Sequence, residues 1–344
     1  MYDWLVVTSD QEGAGRGVRG QALLWFLRTY FGRRRVGCAS SQAVGRHPPA
    51  ADTIFLGLPT ALSAEQIERL ADRARCRRLA AFDYLDQHEL AWSDEQAAVL
   101  RPRIVAYLKP WFEKAWNYDL RMGMLALRRY GRFTAALVAD RALRALGVQA
   151  AKKYDVGFVG RPNFTRFRVD DRIEPTCQRY LWLSEIRREA PELSVWGGLV
   201  GVEGRHGDKL RRMYGDISPV AYSVRDKIGF VAYWREMRLS RVTLAPGGNV
   251  PWSYRHYECL YSGGVVVSSD FRQRDMLVPL PREGMLFVGD DEPVLPAVRQ
   301  ALVWSRERPT LGAENRAHLE RYFKNGAYSR SRPLLVERFI SQLE

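Results

Sequence analysis

The chain has 344 residues, of which 46% are apolar, so it suits a globular protein of two domains better than one built on a single core. Its net charge of +14 is divided between both halves, which disfavours a basic tail for nucleic acid and indicates a body that attracts anions. The sequence has no run of eighteen apolar residues, no secretory signal pattern and no CxxC pair, so we expect no membrane span and four free thiols in a reducing compartment.

Strands and helices are predicted to alternate through the first half of the chain. Apolar runs predict strands at residues 4–8, 36–39, 53–58, 79–83 and 104–108. Amphipathic segments predict helices at residues 21–30, 63–75 and 133–146, the second of them opened by a capping box at Ser63 and Gln66. This alternation predicts a parallel sheet covered by helices, followed by a crossing to a second domain at 147–153.

The loop after the first strand is rich in glycine and contains two acids. In the run GAGRGVRG, Gly13, Gly15 and Gly17 are two residues apart, which departs from the fingerprint of dinucleotide-binding loops. Asp10 and Glu12 precede that run, at the sheet edge where ligands of such folds dock. These two acids fit a role toward an acceptor and fit equally well the capping of the helix that follows.

A second acidic group, formed by Asp83, Asp86 and His88, follows the predicted strand at 79–83. An acid there can serve as a base toward an acceptor hydroxyl. A turn with solvated acids explains the same pattern, and metal ligation lacks a further partner at a suitable spacing. Aromatic and basic residues at 28–35 and 111–132 suit an anionic membrane surface or a glycan, or else a solvated helix end and core packing.

The second half repeats the alternation. Strands are predicted at residues 154–160, 193–197, 242–245, 265–267 and 286–288. Helices are predicted at residues 179–188, 230–237, 253–262, 295–305, 313–323 and 332–343. The glycine-rich and basic segment 197–212 is predicted to be a loop.

The stretch 241–269 organises this half, because it predicts a strand, a glycine-rich loop, a short helix and a buried strand. Pro246, Gly247, Gly248 and Asn249 break the first strand, and Ser253 is the expected N-cap of the helix. A helix N-terminus offers unpaired N–H groups and partial positive charge, and glycine lets a ligand approach the backbone. The unit therefore predicts an anion site.

Arg255 and Glu258 lie on one face of the predicted helix, three residues apart. This places a guanidinium near a phosphate position and a carboxylate near a place for sugar hydroxyls. The layout suits a nucleotide, with its diphosphate at the helix tip and its ribose against the acid. A solvated Arg and Glu on an ordinary strand–helix–strand unit is the alternative.

This stretch resembles the nucleotide-sugar site of the GT-B glycosyltransferases, in the exostosin-like or family 1-like form of the donor domain. The residues that carry the resemblance are APGGNVPWSYRHYECLYSGGVVVSSD. The resemblance implies an α/β fold of two Rossmann-like domains facing a cleft. It implies an acceptor-side domain at 1–148, a donor-binding domain at 149–326 and a C-terminal helix at 327–344 that packs back on the first domain.

By the same resemblance, the chain would move a sugar from a nucleotide-sugar donor to a hydroxyl of a glycan or a lipid-linked saccharide. No metal and no cofactor beyond this co-substrate is expected. The donor-binding set would be Arg161, Gly247, Gly248, Asn249, Ser253, Tyr254, Arg255 and Glu258. An inverting enzyme would also need a catalytic base, for which the candidates are Asp10, Glu12 and Asp83.

One departure from the family pattern leaves the stereochemistry open. Retaining members often have two Glu residues eight apart, whereas the position eight before Glu258 is Val250. The resemblance implies a cytoplasmic enzyme, peripheral at the inner face of an anionic membrane. The alternatives are a nucleic-acid-binding protein, which charge alone supports and which we do not expect, and a non-catalytic GT-B-like module that binds a glycan.

Overall fold

The computed structural model describes most of the chain, namely residues 2–8, 20–47, 50–73, 76–83, 90–108, 151–164, 176–222, 229–248, 253, 255–272, 278–323 and 334–344. The chain forms two compact units. The first consists of Met1–Tyr130, Arg274–Pro279 and Arg321–Glu344, and the second of Gly131–Gln273 and Leu280–Glu320. The predicted helix at 133–146 and most of the predicted crossing at 147–153 lie outside the described residues, so the domain boundaries stay predictions.

The described part of the first unit contains a sheet of five parallel strands. The strands are β1 (Tyr2–Thr8), β2 (Val36–Ser40), β3 (Ala51–Gly57), β4 (Arg78–Phe82) and β5 (Ile104–Leu108), in the order β2-β1-β3-β4-β5. The helices are α1 (Gly20–Phe31), α2 (Ser41–Arg46), α3 (Ala64–Arg73) and α4 (Asp94–Leu100). The middle of β1, with Leu5, Val6 and Val7, is fully buried, as an unbroken apolar run in a parallel sheet requires.

The described part of the second unit contains a matching sheet. Its strands are β6 (Tyr154–Gly160), β7 (Val195–Leu199), β8 (Ser240–Ala245), β9 (Val265–Ser269) and β10 (Met285–Val288), in the order β10-β9-β8-β6-β7. Its helices are α5 (Gln178–Glu189), α6 (Arg205–Tyr214), α7 (Phe230–Arg238), α8 (Arg255–Ser262), α9 (Leu295–Glu307) and α10 (Leu311–Phe323). All described strand pairs are parallel.

Both sheets have the same topology: the second strand lies outside the first, and the third, fourth and fifth follow on the other side. The strand order therefore reverses between β1 and β3 in one sheet and between β6 and β8 in the other. Ligands of open α/β sheets bind beyond the carboxyl ends of the strands at such a reversal. The loops after β6 and β8 are thus the expected ligand position in the second unit.

One helix corrects the sequence analysis. Residues 205–214 form α6, although segment 197–212 is predicted to be a loop. Gly204 adopts a φ of 86°, which permits a sharp entry, and Gly215 at 77° ends the helix. Leu210 is fully buried and anchors one face, so tertiary packing outweighs the local glycine signal.

The C-terminal helix α11 (Leu334–Ser341) belongs to the first unit, which confirms that it returns to the first domain. Phe339 is fully buried against Phe26, with ring centroids 5.0 Å apart, against Phe55 at 5.9 Å and against Trp4 at 6.4 Å. This aromatic cluster forms part of the first core. Among the residues described, no helix is long and apolar enough to cross a bilayer.

Candidate nucleotide-binding site

The glycine-rich loop follows β8 at the reversal point of the second sheet. β8 ends at Ala245, and Gly247 and Gly248 follow after Pro246, both buried. The neighbouring strand β6 ends at Gly160, followed by Arg161, which is exposed. Three predicted donor-binding residues thus lie at the carboxyl ends of two adjacent strands.

The peptide groups of Gly247 are held by two side chains from the first turn of α5. The Gln178 Oε1 atom accepts a hydrogen bond from the Gly247 N–H at 2.6 Å. The Arg179 Nε atom donates to the Gly247 carbonyl oxygen at 3.1 Å. Both side chains are buried, with 4% of Gln178 and 6% of Arg179 exposed. The loop conformation is therefore set by protein groups.

Arg179 also reaches the loop after β6, because its Nη1 atom donates to the Arg161 carbonyl oxygen at 2.7 Å. One buried guanidinium thus joins the two loops at the reversal point. The sequence analysis assigned no role to Gln178 or Arg179. Nothing in the local pattern marks them, since a polar pair at a helix start is usually solvated and only the tertiary structure shows their burial.

Arg255 begins α8 and extends toward the end of β6. Its guanidinium carbon lies 4.7 Å from the centre of the Phe158 ring, a cation–π contact. Its Nη2 atom would lie 2.9 Å from a Cβ built on Gly160, so a larger residue there would force the guanidinium or the Phe158 ring to shift. The positive charge of Arg255 therefore lies near the loop that contains Arg161.

Arg255 and Glu258 meet at a hydroxyl that the sequence analysis missed, that of Tyr233 on α7. The Arg255 Nη1 atom donates to the Tyr233 oxygen at 3.3 Å, and the Tyr233 O–H donates to Glu258 Oε2 at 3.1 Å. Burial, followed by the charge of Glu258, raises the pKa of Tyr233 well above its usual value, so the hydroxyl stays protonated. The predicted pair on one helix face is thus linked through a third residue.

Ser253 and His256 fix the start of α8. The Ser253 Oγ atom accepts a hydrogen bond from the Arg255 N–H at 3.3 Å, as a capping residue does. The His256 Nε2 atom lies 3.0 Å from Ser268 Oγ, and its Nδ1 atom lies 2.8 Å from the Ser253 carbonyl oxygen and 3.1 Å from the Ser253 nitrogen. Burial lowers the pKa of His256 to about 3, so the ring is neutral near pH 7.

The predicted site residues have different outcomes. Arg161, Gly247, Gly248, Ser253, Arg255 and Glu258 all lie in the second unit, on or beside the loops after β6 and β8. Asn249, Tyr254, Asp10 and Glu12 lie outside the described residues. The structure shows the positions of the six, and their role in donor binding stays a prediction.

Asp83 lies in the first unit, directly after β4. It is buried, and the Tyr107 hydroxyl donates to its Oδ2 atom at 2.6 Å. Burial and the charge of Asp83 raise the pKa of Tyr107, which keeps that hydroxyl protonated. The role of Asp83 as a catalytic base stays a prediction. Within the described ranges, no three His, Cys, Asp or Glu residues are grouped so as to hold a metal ion.

The two parallel sheets and the returning helix define the class: the chain has the GT-B fold, of two Rossmann-like domains. An α,α-trehalose-phosphate synthase (UDP-forming) from Burkholderia vietnamiensis is similar over 100% of this chain and 99% of its own, with a TM-score of 0.52 and 13% identity. The HepE protein of Anabaena, solved with UDP-glucose, covers 98% of both chains at a TM-score of 0.47 and 12% identity. No protein-family model matches the sequence, and no curated protein matches it significantly.

Proposed function

We propose that the protein is a glycosyltransferase that moves a sugar from a nucleotide-sugar donor to a hydroxyl of a glycan or lipid-linked saccharide. The observation that carries the proposal is the convergence of Arg161, the Gly247–Gly248 loop and Arg255 at the reversal point of the second sheet. This is where the GT-B layout and the general rule for parallel sheets both expect a nucleotide. The solved structure that shares the fold bears the name of a UDP-forming synthase, which supports a nucleoside diphosphate as the product class.

The reaction breaks the bond between the anomeric carbon of the sugar and the diphosphate oxygen. An acceptor hydroxyl forms the new bond and loses its proton, and the nucleoside diphosphate leaves with the bonding electrons. Negative charge grows on the departing diphosphate, and cations and N–H groups held in place beforehand stabilise it. We propose Arg161, Arg255 and the backbone N–H groups near Ser253 for this role. Together these groups would stabilise the diphosphate without a metal ion.

Glu258 is proposed to bind the ribose of the donor. Its carboxylate is oriented by the Tyr233 hydroxyl, which in turn accepts from Arg255. Asn249 and Tyr254 are proposed as further donor contacts. A base for the acceptor hydroxyl is proposed among Asp10, Glu12 and Asp83.

A peripheral position at the inner face of an anionic membrane is also proposed. The high positive charge of the chain supports it, together with the exposed run Arg33–Arg35 beside the end of α1.

The test is a thermal-shift screen of UDP, GDP, ADP and their sugars, because a ligand that binds the native state raises the melting temperature. A hit is then measured by calorimetry in the wild type and in Arg255→Ala and Glu258→Ala, each of which we expect to abolish binding. Transfer or donor hydrolysis in the presence of a chelator supports the metal-independent enzyme. Binding without turnover indicates a glycan-binding module, and duplex binding that falls steeply with salt, with no nucleotide hit, indicates a nucleic-acid-binding protein.

A further inference from the structure

We propose that Gln178 and Arg179 are positioning residues for the donor diphosphate, and that they act by holding the loop of Gly247 and Gly248 at a set distance from Arg161. The inference rests on the proposed function. It concerns two residues at the start of α5 that act through the backbone of the loops and not by direct contact with the ligand.

Both backbone polar groups of Gly247 are hydrogen-bonded to side chains of α5. Its N–H donates to Gln178 Oε1 and its carbonyl oxygen accepts from Arg179 Nε, through two consecutive side chains. Both side chains are more than nine-tenths buried, so water competes little for these bonds. A loop fixed in this way needs no rearrangement when an anion arrives, and such preorganisation raises affinity.

The glycine-rich loop packs closely against the Arg179 guanidinium at Gly248. A Cβ on Gly248 would lie 2.8 Å from Arg179 Nη2 and 3.3 Å from Asn163 Nδ2. A larger residue at position 248 would therefore force the Arg179 guanidinium or the loop to shift. Through this contact, the position of the Arg179 guanidinium and the conformation of the loop at Gly248 depend on each other.

The same guanidinium also fixes the backbone of the loop after β6. Its Nη1 atom donates to the Arg161 carbonyl oxygen at 2.7 Å, whereas the Arg161 residue itself is exposed. Arg179 thus anchors the backbone of a residue whose own cation is proposed to meet the diphosphate. A shift of Arg179 would move both phosphate-binding loops together.

A matched control lies at the opposite, amino ends of the same two strands. Lys152 precedes β6, and its Nζ atom donates to the Arg238 carbonyl oxygen at 2.8 Å and the Ser240 carbonyl oxygen at 2.9 Å, at the start of β8. Lys152 donates to two carbonyls of the segment that leads into β8, whereas Arg179 donates to one carbonyl after β6 and one after β8. They differ in position, at the amino ends for Lys152 and at the carboxyl ends for Arg179.

The experiment compares Arg179→Met, Arg179→Lys and Gly248→Ala with Lys152→Met in the full chain. Calorimetry measures the affinity for UDP, GDP and ADP, denaturation measures stability, and hydrogen exchange reports on the peptide that contains the Gly247 amide. We expect Arg179→Met to weaken binding by about 10-fold or more, with Arg179→Lys partly restoring it, because hydrogen bonds to a charged group are lost. We expect a similar loss in Gly248→Ala, because the added Cβ would displace the Arg179 guanidinium. Lys152→Met is expected to lower stability while leaving affinity within about 2-fold and the Gly247 amide protected.

A double-mutant cycle gives the sharpest readout. If the Cβ at position 248 acts by displacing Arg179, adding Gly248→Ala to Arg179→Met should cost less affinity than Gly248→Ala alone. Equal effects of Arg179→Met and Lys152→Met on stability and affinity would overturn the inference and leave the proposed function standing. A wild-type chain that binds none of the three nucleotides overturns the proposed function, and the inference with it. Should Arg179→Met fail to fold, unchanged affinity in Gly248→Ala decides against the inference.

Discussion

Arg255 shows how much a single side chain depends on its surroundings. Its guanidinium stacks on Phe158, donates to Tyr233 and fits against the backbone at Gly160, where a Cβ would lie too close. These contacts need a planar group with several donors in a fixed fork, which lysine lacks. The position of the positive charge at the proposed diphosphate site is therefore specific to arginine.

We predict that Arg255→Lys weakens the binding of the best nucleoside diphosphate by about 10-fold or more, because lysine cannot stack on Phe158 and donate to Tyr233 together. Titration calorimetry measures the change. Arg308→Lys is the control, since Arg308 lies over the Trp304 ring at 5.4 Å in the same unit but after the end of α9. Equal losses in both variants would show that the effect is not specific to the site.

His256 gives the second unit a predicted dependence on pH. Its pKa is about 3 in the folded chain, against an ordinary value of 6.5, because burial disfavours the charged ring. Between these values the unfolded chain binds a proton that the folded chain does not, so stability is complete above pH 6.5 and is lost progressively as the pH falls toward 3. The slope contributed by one such group is at most about 1.4 kcal/mol per pH unit.

We therefore expect His256→Asn to lower the free energy of unfolding at pH 7 and to flatten its pH dependence between pH 6.5 and 4.5. Urea denaturation at a series of pH values measures both. His206→Asn, at an exposed histidine on α6, should keep the wild-type slope. A slope that is unchanged in His256→Asn would show that the ring is protonated in the folded chain.

At the scale of elements, α5 links two parts of the second unit, the loop after β8 and the start of α9. Its first turn holds the Gly247 loop, and about two turns later Glu185 reaches the start of α9. The Glu185 Oε2 atom accepts from the Val294 N–H at 3.0 Å, and its Oε1 atom accepts from the Leu295 N–H at 2.9 Å. The Glu185 carboxylate of α5 thus caps α9 and satisfies amides that lack helical partners.

We predict that Glu185→Ala lowers the free energy of unfolding by about 1 to 2 kcal/mol, because two N–H groups at the start of α9 lose their acceptor. Urea denaturation measures the loss. Glu192→Ala is the control, since Glu192 is exposed and only approaches Arg299 at 3.9 Å, so we expect a change within about 0.5 kcal/mol. Equal stability in the two variants would contradict the capping role of Glu185.

At the scale of the whole molecule, the chain returns from the second unit to complete the core of the first. Phe339 on α11 is fully buried against Trp4, Phe26 and Phe55, more than 280 residues away in the sequence for each of them. The first sheet is therefore stabilised by the last helix of the chain. A loss of that contact should be felt in the first unit.

We predict that Phe339→Ala destabilises the first unit by about 3 to 5 kcal/mol, the usual cost of removing a buried phenylalanine. Hydrogen exchange should then become faster in β1 and β3 and stay unchanged in β6 and β8. Leu334→Ala lies on the same helix with 42% of the side chain exposed, and we expect it to be near neutral. Equal acceleration in both sheets would contradict the assignment of α11 to the first unit.

Local pattern was sufficient for much of the architecture. Apolar runs predicted strands in both sheets, and the stretch 241–269 predicted the strand, helix and strand that the structure contains at β8, α8 and β9. These features depend on neighbours a few residues away, so the sequence expresses them directly. The resemblance that implied the GT-B fold rests on the same short stretch.

The tertiary structure alone decided how the site is held. Gln178 and Gly247 are 69 residues apart, and Tyr233 reaches Glu258 from another helix. Segment 205–214 is a helix that is stabilised by the burial of Leu210 in the core. Each outcome depends on which strands are adjacent, and the order β10-β9-β8-β6-β7 arises from packing of the whole sheet. The sequence by itself determined the strands, most of the described helices and the glycine-rich loop after β8, whereas the contacts that hold Gly247 came from long-range packing, which no local pattern encodes.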